Sequence, residues 1–249
     1  MNRGSRWSVL AGVLAITTSL VSRASQPCPP PSVNVTDGSS ASTACAAAAS
    51  YSTNFAATQN PLAEGGKWTN GKAVGLDWNN VQSVPGKAFA AAIVTGYNDD
   101  IAILNTAFAA DQYAQGTVSR VAGYAPGTNH EIELLLRFQI TPKNARGYEV
   151  LWGQAGEFAI VRWNGPLSDY TPLLDNGNIG VAVEGDVLRA EIGSNVIRVY
   201  KNGSLVGSVN VAAFGGSVWN SGQPGIGFWP RAGATIQNYG WKSYQAGDM

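Results

Sequence analysis

Residues 132–140 place Ile132, Leu134, Leu136, Phe138 and Ile140 at every second position, with Glu133, Leu135, Arg137 and Gln139 between them. Successive side chains of a strand point to opposite faces, so this spacing predicts a half-buried β-strand, which Pro142 ends. Two more apolar runs, 148–152 and 158–163, follow, joined by the glycine-containing hairpin loop Gly153-Gln154-Ala155-Gly156. Segments 187–192, 196–201 and 205–209 are short and apolar, separated by Gly193-Ser194-Asn195 and Asn202-Gly203-Ser204. An Asn-Gly pair favours a tight hairpin because both residues accept positive φ readily. The three segments therefore predict a β-meander. Segments 225–229 and 234–244 supply the last strands. No stretch keeps a helical period over a full window. The nearest, 90–110, is interrupted by Thr95-Gly96 and Asn98-Asp99-Asp100. The pattern predicts an all-β domain.

Ahead of residue 51 the pattern changes. Arg3 and Arg6 precede an apolar stretch over 9–21, and Ser22-Arg23-Ala24 then offers small residues where a signal peptidase reads. The stretch is interrupted by Thr17, Thr18 and Ser19 and falls short of the roughly 20 apolar residues a membrane span needs. Residues 1–25 thus read as a secretory signal peptide. The expected setting is extracellular or periplasmic, with no membrane span after its removal. Residues 26–50, rich in Pro, Ser and Ala, read as a linker, and 51–249 as one domain. Cys28 and Cys45 both fall in the linker, where an oxidising compartment would let them close a disulfide.

Composition narrows the partners. Charged residues make up 13 % of the chain, about half the usual share. The formal net charge is zero, so there is no electrostatic footprint for nucleic acid or an anionic membrane. The chain is expected to be a monomer.

Several segments carry a resemblance. Phe55, Asn60-Pro61-Leu62 and Trp68 look like an opening strand, and Asp111-Gln112-Tyr113 with Gly116-Thr117-Val118 like a strand entering a concave sheet. Arg137, Tyr148 and Arg162-Trp163 look like central strands. Gly185-Asp186 through Asn202-Gly203, then 222–227 and Trp241, look like the closing meander. Over about residues 51–246 the chain resembles the concanavalin A-like lectin/glucanase superfamily, in its LamG-like branch. That resemblance implies a two-sheet antiparallel jelly-roll sandwich whose concave sheet cradles a glycan. The superfamily holds lectins, laminin-G-type binding domains, glycoside hydrolases and polysaccharide lyases, so fold alone does not select among them.

Glycoside hydrolysis needs two carboxylates, about 5–5.5 Å apart for retention or 6.5–9.5 Å for inversion. The Glu-x-Asp-x-x-Glu pattern of laminarinase-type jelly rolls is missing, but Glu131 and Glu133 share one strand face and Glu149 falls on the neighbouring strand. These three are the candidate catalytic carboxylates, weighed against solvated strand positions. For β-elimination His130 is the candidate base, although the Gln-x-His and lysine–tyrosine elements of jelly-roll lyases are absent. One histidine and no cysteine in the domain exclude ordinary zinc or copper sites. No cofactor is indicated. Calcium stays open only through Asp99, Asp100 or Asp169 with carbonyls, without EF-hand spacing.

Aromatic platforms offer more. Sugar rings stack their C–H faces on aromatic rings while polar side chains satisfy their hydroxyls. Arg162, Trp163, Asn164, Asp169 and Tyr170 combine these types within nine residues, and Tyr148 and Trp152 share one face of the preceding strand. With Arg137 they form the expected ligand-binding set. Trp219 and Trp229 are loop-side candidates, and Trp68 and Trp241 are assigned to the core. The leading expectation is a secreted domain that binds a poly- or oligosaccharide on its concave face. The alternatives are a hydrolase or lyase on the same fold, or a tethered adhesion domain.

Overall fold

Two antiparallel sheets carry the chain. In the computed structural model, residues 47–125 and 129–249 are described, so the expected signal peptide, most of the linker, Cys28 and Cys45 lie outside the described residues. The strands are β1 (Ser50–Thr53), β2 (Trp68–Asn70), β3 (Val81–Val84), β4 (Lys87–Ala90) and β5 (Asp100–Leu104). They continue with β6 (Gln112–Arg120), β7 (His130–Thr141), β8 (Asn144–Gly153), β9 (Glu157–Gly165) and β10 (Tyr170–Asn178). The last are β11 (Val187–Gly193), β12 (Val196–Lys201), β13 (Ser204–Asn210), β14 (Gln223–Pro230) and β15 (Tyr239–Asp248). The first sheet runs β13-β12-β11-β6-β15-β4-β3, with β1 also against β15, and the second runs β10-β9-β8-β7-β14-β5-β2. This is the all-β, two-sheet sandwich that the alternation predicts. The meander β11–β12–β13 forms as expected, and Asn202 and Gly203 both take positive φ at its second turn. No helix forms in 90–110, which contains β5. Among the described residues no helix is long and apolar enough to cross a membrane.

The main core fills the space between the sheets. Ile132, Leu134 and Leu136 of β7, Tyr148, Val150 and Trp152 of β8, and Ile226 and Phe228 of β14 meet Leu188, Ile192, Val199, Trp241 and Tyr244 from the first sheet. Each large apolar side chain buried this way favours the fold by roughly 1.5–3 kcal/mol. Trp241 fits because β6 carries Gly116 beneath it; a Cβ there would collide with the indole ring. The Trp241 indole N–H donates to the Glu133 carbonyl oxygen across the sandwich at 3.2 Å.

The alternation of 132–140 breaks at Arg137. Its φ is +47°, and between the pairs Leu136–Tyr148 and Gln139–Arg146 two residues of β7 stand opposite one of β8. This is a β-bulge, which shifts the register of facing by one. Phe138 consequently leaves the main core and joins a second apolar cluster on the other face of the sheet, with Leu76, Trp78, Ile101, Ile103, Leu135, Val161 and Trp163. Strict alternation to Ile140 is therefore corrected by the bulge.

Candidate functional site

The outward face of the second sheet is divided in two. One part is sealed by the second apolar cluster, in which Leu76 and Trp78 fold over Ile101, Ile103, Leu135 and Phe138. The other part opens as a cleft of about 310 Å³. Register dictates its floor. Glu131 and Glu133 of β7 point outward because Ile132 and Leu134 point in, and β8 presents Glu149 and Leu151 beside them. β9 adds Ala159, Val161 and Trp163, and β14 adds Trp229. Asp99, immediately before β5, completes the acidic floor, and Tyr97, Tyr170 and Asp175 stand at the rim.

The aromatic residues hold one another in place. Trp163 packs edge-on against Trp78 at 4.5 Å between ring centres and lies tilted against Tyr170 at 5.4 Å, and Tyr170 meets Tyr97 at 5.4 Å. The Trp229 indole N–H donates to the Gly96 carbonyl at 2.7 Å, which ties the 91–99 loop to β14. Arg231 lies over the Trp229 ring at 4.6 Å. Tyr97 is exposed, Tyr170 and Trp229 are half-buried, and Trp163 shows the cleft little more than an edge.

The floor is acidic and buried. Asp99, Glu133 and Glu149 are buried, with one carboxylate oxygen from each lying within 4.8 Å of the others. Glu149 accepts a hydrogen bond from the Trp163 indole at 2.6 Å. Burial pushes the Glu149 carboxyl up to about 7 even though that hydrogen bond pulls the other way. Burial, reinforced by Glu149 and Glu157, holds Glu131 at about 8. Burial and the neighbouring carboxylates place Asp99 and Glu133 well above the usual carboxylate range. Such a floor carries protons or a cation near neutral pH, because several buried carboxylates cannot all ionise unpaired.

The residues expected from sequence separate into two groups. Glu131, Glu133, Glu149, Trp163 and Tyr170 come together in the cleft. Tyr148 and Trp152 do not: both are fully buried and face the main core. Arg137 is 1 % exposed and acts as a clamp at the bulge, donating to the carbonyls of Ala110, Trp219 and Ser194 and to Asp111. Arg162 is also buried and donates to Asn164, Gly215 and Thr171. Asn164 and Asp169 hydrogen-bond to each other at the β9–β10 turn, outside the cleft lining. His130 lies in the interior, its Nδ1 2.8 Å from the Tyr124 hydroxyl, and burial pushes its pKa down to about 4. A base that must reach a substrate does not sit there. Asp100, one residue from Asp99, caps its own loop by accepting from the Ala91 and Ala92 backbone N–H groups. Tyr97 escaped the sequence reading because it lies in a loop with no periodicity to place it.

Comparison with known proteins gives fold without family. No family model matches the chain, and no curated protein matches it. Among solved structures, beta-agarase A in complex with oligoagarose superposes with a TM-score of 0.52 at 12 % identity, over 79 % of this chain and 90 % of that one. The carbohydrate recognition domain of Emp46p in its metal-free form gives 0.49 at 12 %, over 79 % and 95 %. The carbohydrate binding module CBM66 from Bacillus subtilis gives 0.43 at 14 %, over 73 % and 92 %. The chain therefore has the concanavalin A-like jelly-roll fold.

Proposed function

We propose that this domain binds a poly- or oligosaccharide in the cleft on the outward face of its second sheet. One observation carries the reading: Tyr97, Tyr170 and Trp229 rim a cleft whose base is lined with hydrogen-bond acceptors. Aromatic edges and faces take the C–H surface of a sugar ring, while Asn129, Glu131 and Asp175 take its hydroxyls. The fold supports the reading, since beta-agarase A, which shares it, is seen with oligoagarose bound. The leader-like segment over 1–25 supports an extracellular or periplasmic setting.

Glycan-array binding and pull-down on insoluble polysaccharides test it. Binding is expected for the intact chain and weakened about tenfold by Trp229→Ala, the effect of losing one stacked ring. Undetectable binding to every glycan, or binding untouched by both Trp229→Ala and Tyr97→Ala, overturns it.

A second reading, hydrolysis at the same cleft, is favoured by Glu131: a carboxyl held at about 8 beside further carboxylates is protonated as a general acid must be. Release of new reducing ends from a bound polysaccharide, abolished in Glu131→Gln, separates catalysis from binding alone.

A further inference from the structure

The floor of the cleft collects negative charge that the chain does not offset. Asp99, Glu133 and Glu149 bring carboxylate oxygens within 4.8 Å of one another. Glu133 is fully buried, and neither of its carboxylate oxygens has a hydrogen-bond partner among the described residues. The ion pairs among the described residues use Asp111, Glu184, Asp186 and Glu191 and leave these three carboxylates out. The backbone is also shaped for Glu133. Gly227 of β14 lies directly opposite it, and a Cβ at 227 would collide with Glu133 Oε2. A buried, unpaired carboxylate is strongly unfavourable unless something positive is held against it.

We propose that Asp99, Glu133 and Glu149 bind one calcium ion at the floor of the cleft. The donors are hard carboxylate oxygens with no cysteine or histidine among them, which selects calcium, magnesium or manganese over softer metals. Calcium takes oxygens at 2.3–2.6 Å, so ligands on opposite sides of its shell stand about 4.6–5.2 Å apart. The three oxygens lie within 4.8 Å of one another, inside the span that one such shell allows. Magnesium demands a tighter octahedron at about 2.0–2.1 Å. The Trp163 N–H fixes Glu149 from outside the shell, as supporting hydrogen bonds do around bound metals. All three carboxylates line the cleft, so the ion would be reached from it. The three ligands differ from the residues that the carbohydrate reading names, although both sets line the same cleft.

The test uses the full chain stripped of metal by a chelator, with calcium chloride or terbium(III) chloride as the added probe. Calcium alone is expected to raise the midpoint of thermal unfolding. Terbium is expected to luminesce on tryptophan excitation, through Trp163, and calcium is expected to displace it. Glu133→Gln and Gly227→Ala should each weaken both responses at least tenfold, whereas Glu157→Gln should leave them unchanged. Glu133→Gln puts a neutral amide in place of a buried carboxyl without a hydrogen-bond partner, so in chelator above pH 8 it should unfold no earlier than the parent. Should it fail to fold, Gly227→Ala decides, because there the collision is with the end of a flexible side chain. Absence of both responses at millimolar calcium overturns the proposal, as does their survival in the folded variants. A response to magnesium as large as that to calcium overturns the choice of ion. Calcium binding without any glycan binding sinks only the carbohydrate reading.

Discussion

Strand β7 has two faces built from interleaved residues, and they do opposite things. Ile132, Leu134 and Leu136 point into the main core among other buried apolar side chains, where burial is favourable. Glu131 and Glu133, one residue away in each case, point to the outward face and are buried nearly as completely, among other carboxylates. Burial stabilises the first set and strains the second. Hydrophobic packing therefore accounts for the fold, whereas the acidic face is kept at the expense of stability. Polar groups held against their own solvation concentrate at binding and catalytic sites, which is the basis of the proposals made for this cleft.

Substitutions on the two faces should break or sharpen that contrast. The largest effect is expected from Trp241→Ala, which empties the centre of the main core. Chemical denaturation should show a loss of about 4 kcal/mol, in the range for buried aromatic truncations. Adjacent positions on β7 should then differ in sign. Leu134→Ala is expected to cost about 3 kcal/mol. Glu133→Gln, measured by the same denaturation in chelator above pH 8, is expected to cost nothing or to stabilise.

His130 gives the interior face a pH signature. Its pKa is lowered from 6.5 to about 4 by burial, so the folded state binds fewer protons than the unfolded state between those values. Stability is then present above pH 6.5 and is lost as pH falls toward 4, by up to about 3 kcal/mol at roughly 1.4 kcal/mol per unit. Over the same range the raised carboxyls of the cleft floor gain stability as pH falls, because they stay protonated only in the folded state, so the His130 contribution is read as a difference: between pH 7 and 4.5 the unfolding free energy of His130→Gln should change more favourably than that of the parent. The smallest expected effect on stability is at the rim. Trp229→Ala should shift the unfolding free energy by less than about 1 kcal/mol while binding falls about tenfold, because the ring is half-buried and serves the cleft.

The strands were legible because they rest on local signals. The period of two over 132–136, the Asn202-Gly203 turn and the apolar runs of β8 and β9 all act through neighbours in sequence. The pairing of Glu131 and Glu133 on one face with Glu149 alongside was legible for the same reason. What failed was the assignment of a face to its surroundings. Tyr148 and Trp152 alternate as expected, yet parity alone does not say which side meets the first sheet, and that side is theirs. Arg137 sits at a bulge that composition does not announce, and its charge satisfies backbone carbonyls instead of a ligand. Asp99 and Tyr97 reach the cleft only because β5 is placed next to β14 and β14 next to β7, a non-local order that no spacing encodes.

Tryptophan indole N–H resonances in an NMR titration test the location of sugar binding most directly. With a glycan from the array that binds, the signals of Trp229 and Trp163, assigned by substitution, should shift with ligand, while those of Trp152 and Trp241 in the core stay still. Shifts confined to residues outside the cleft, with Trp229 and Trp163 unmoved at saturation, would contradict it.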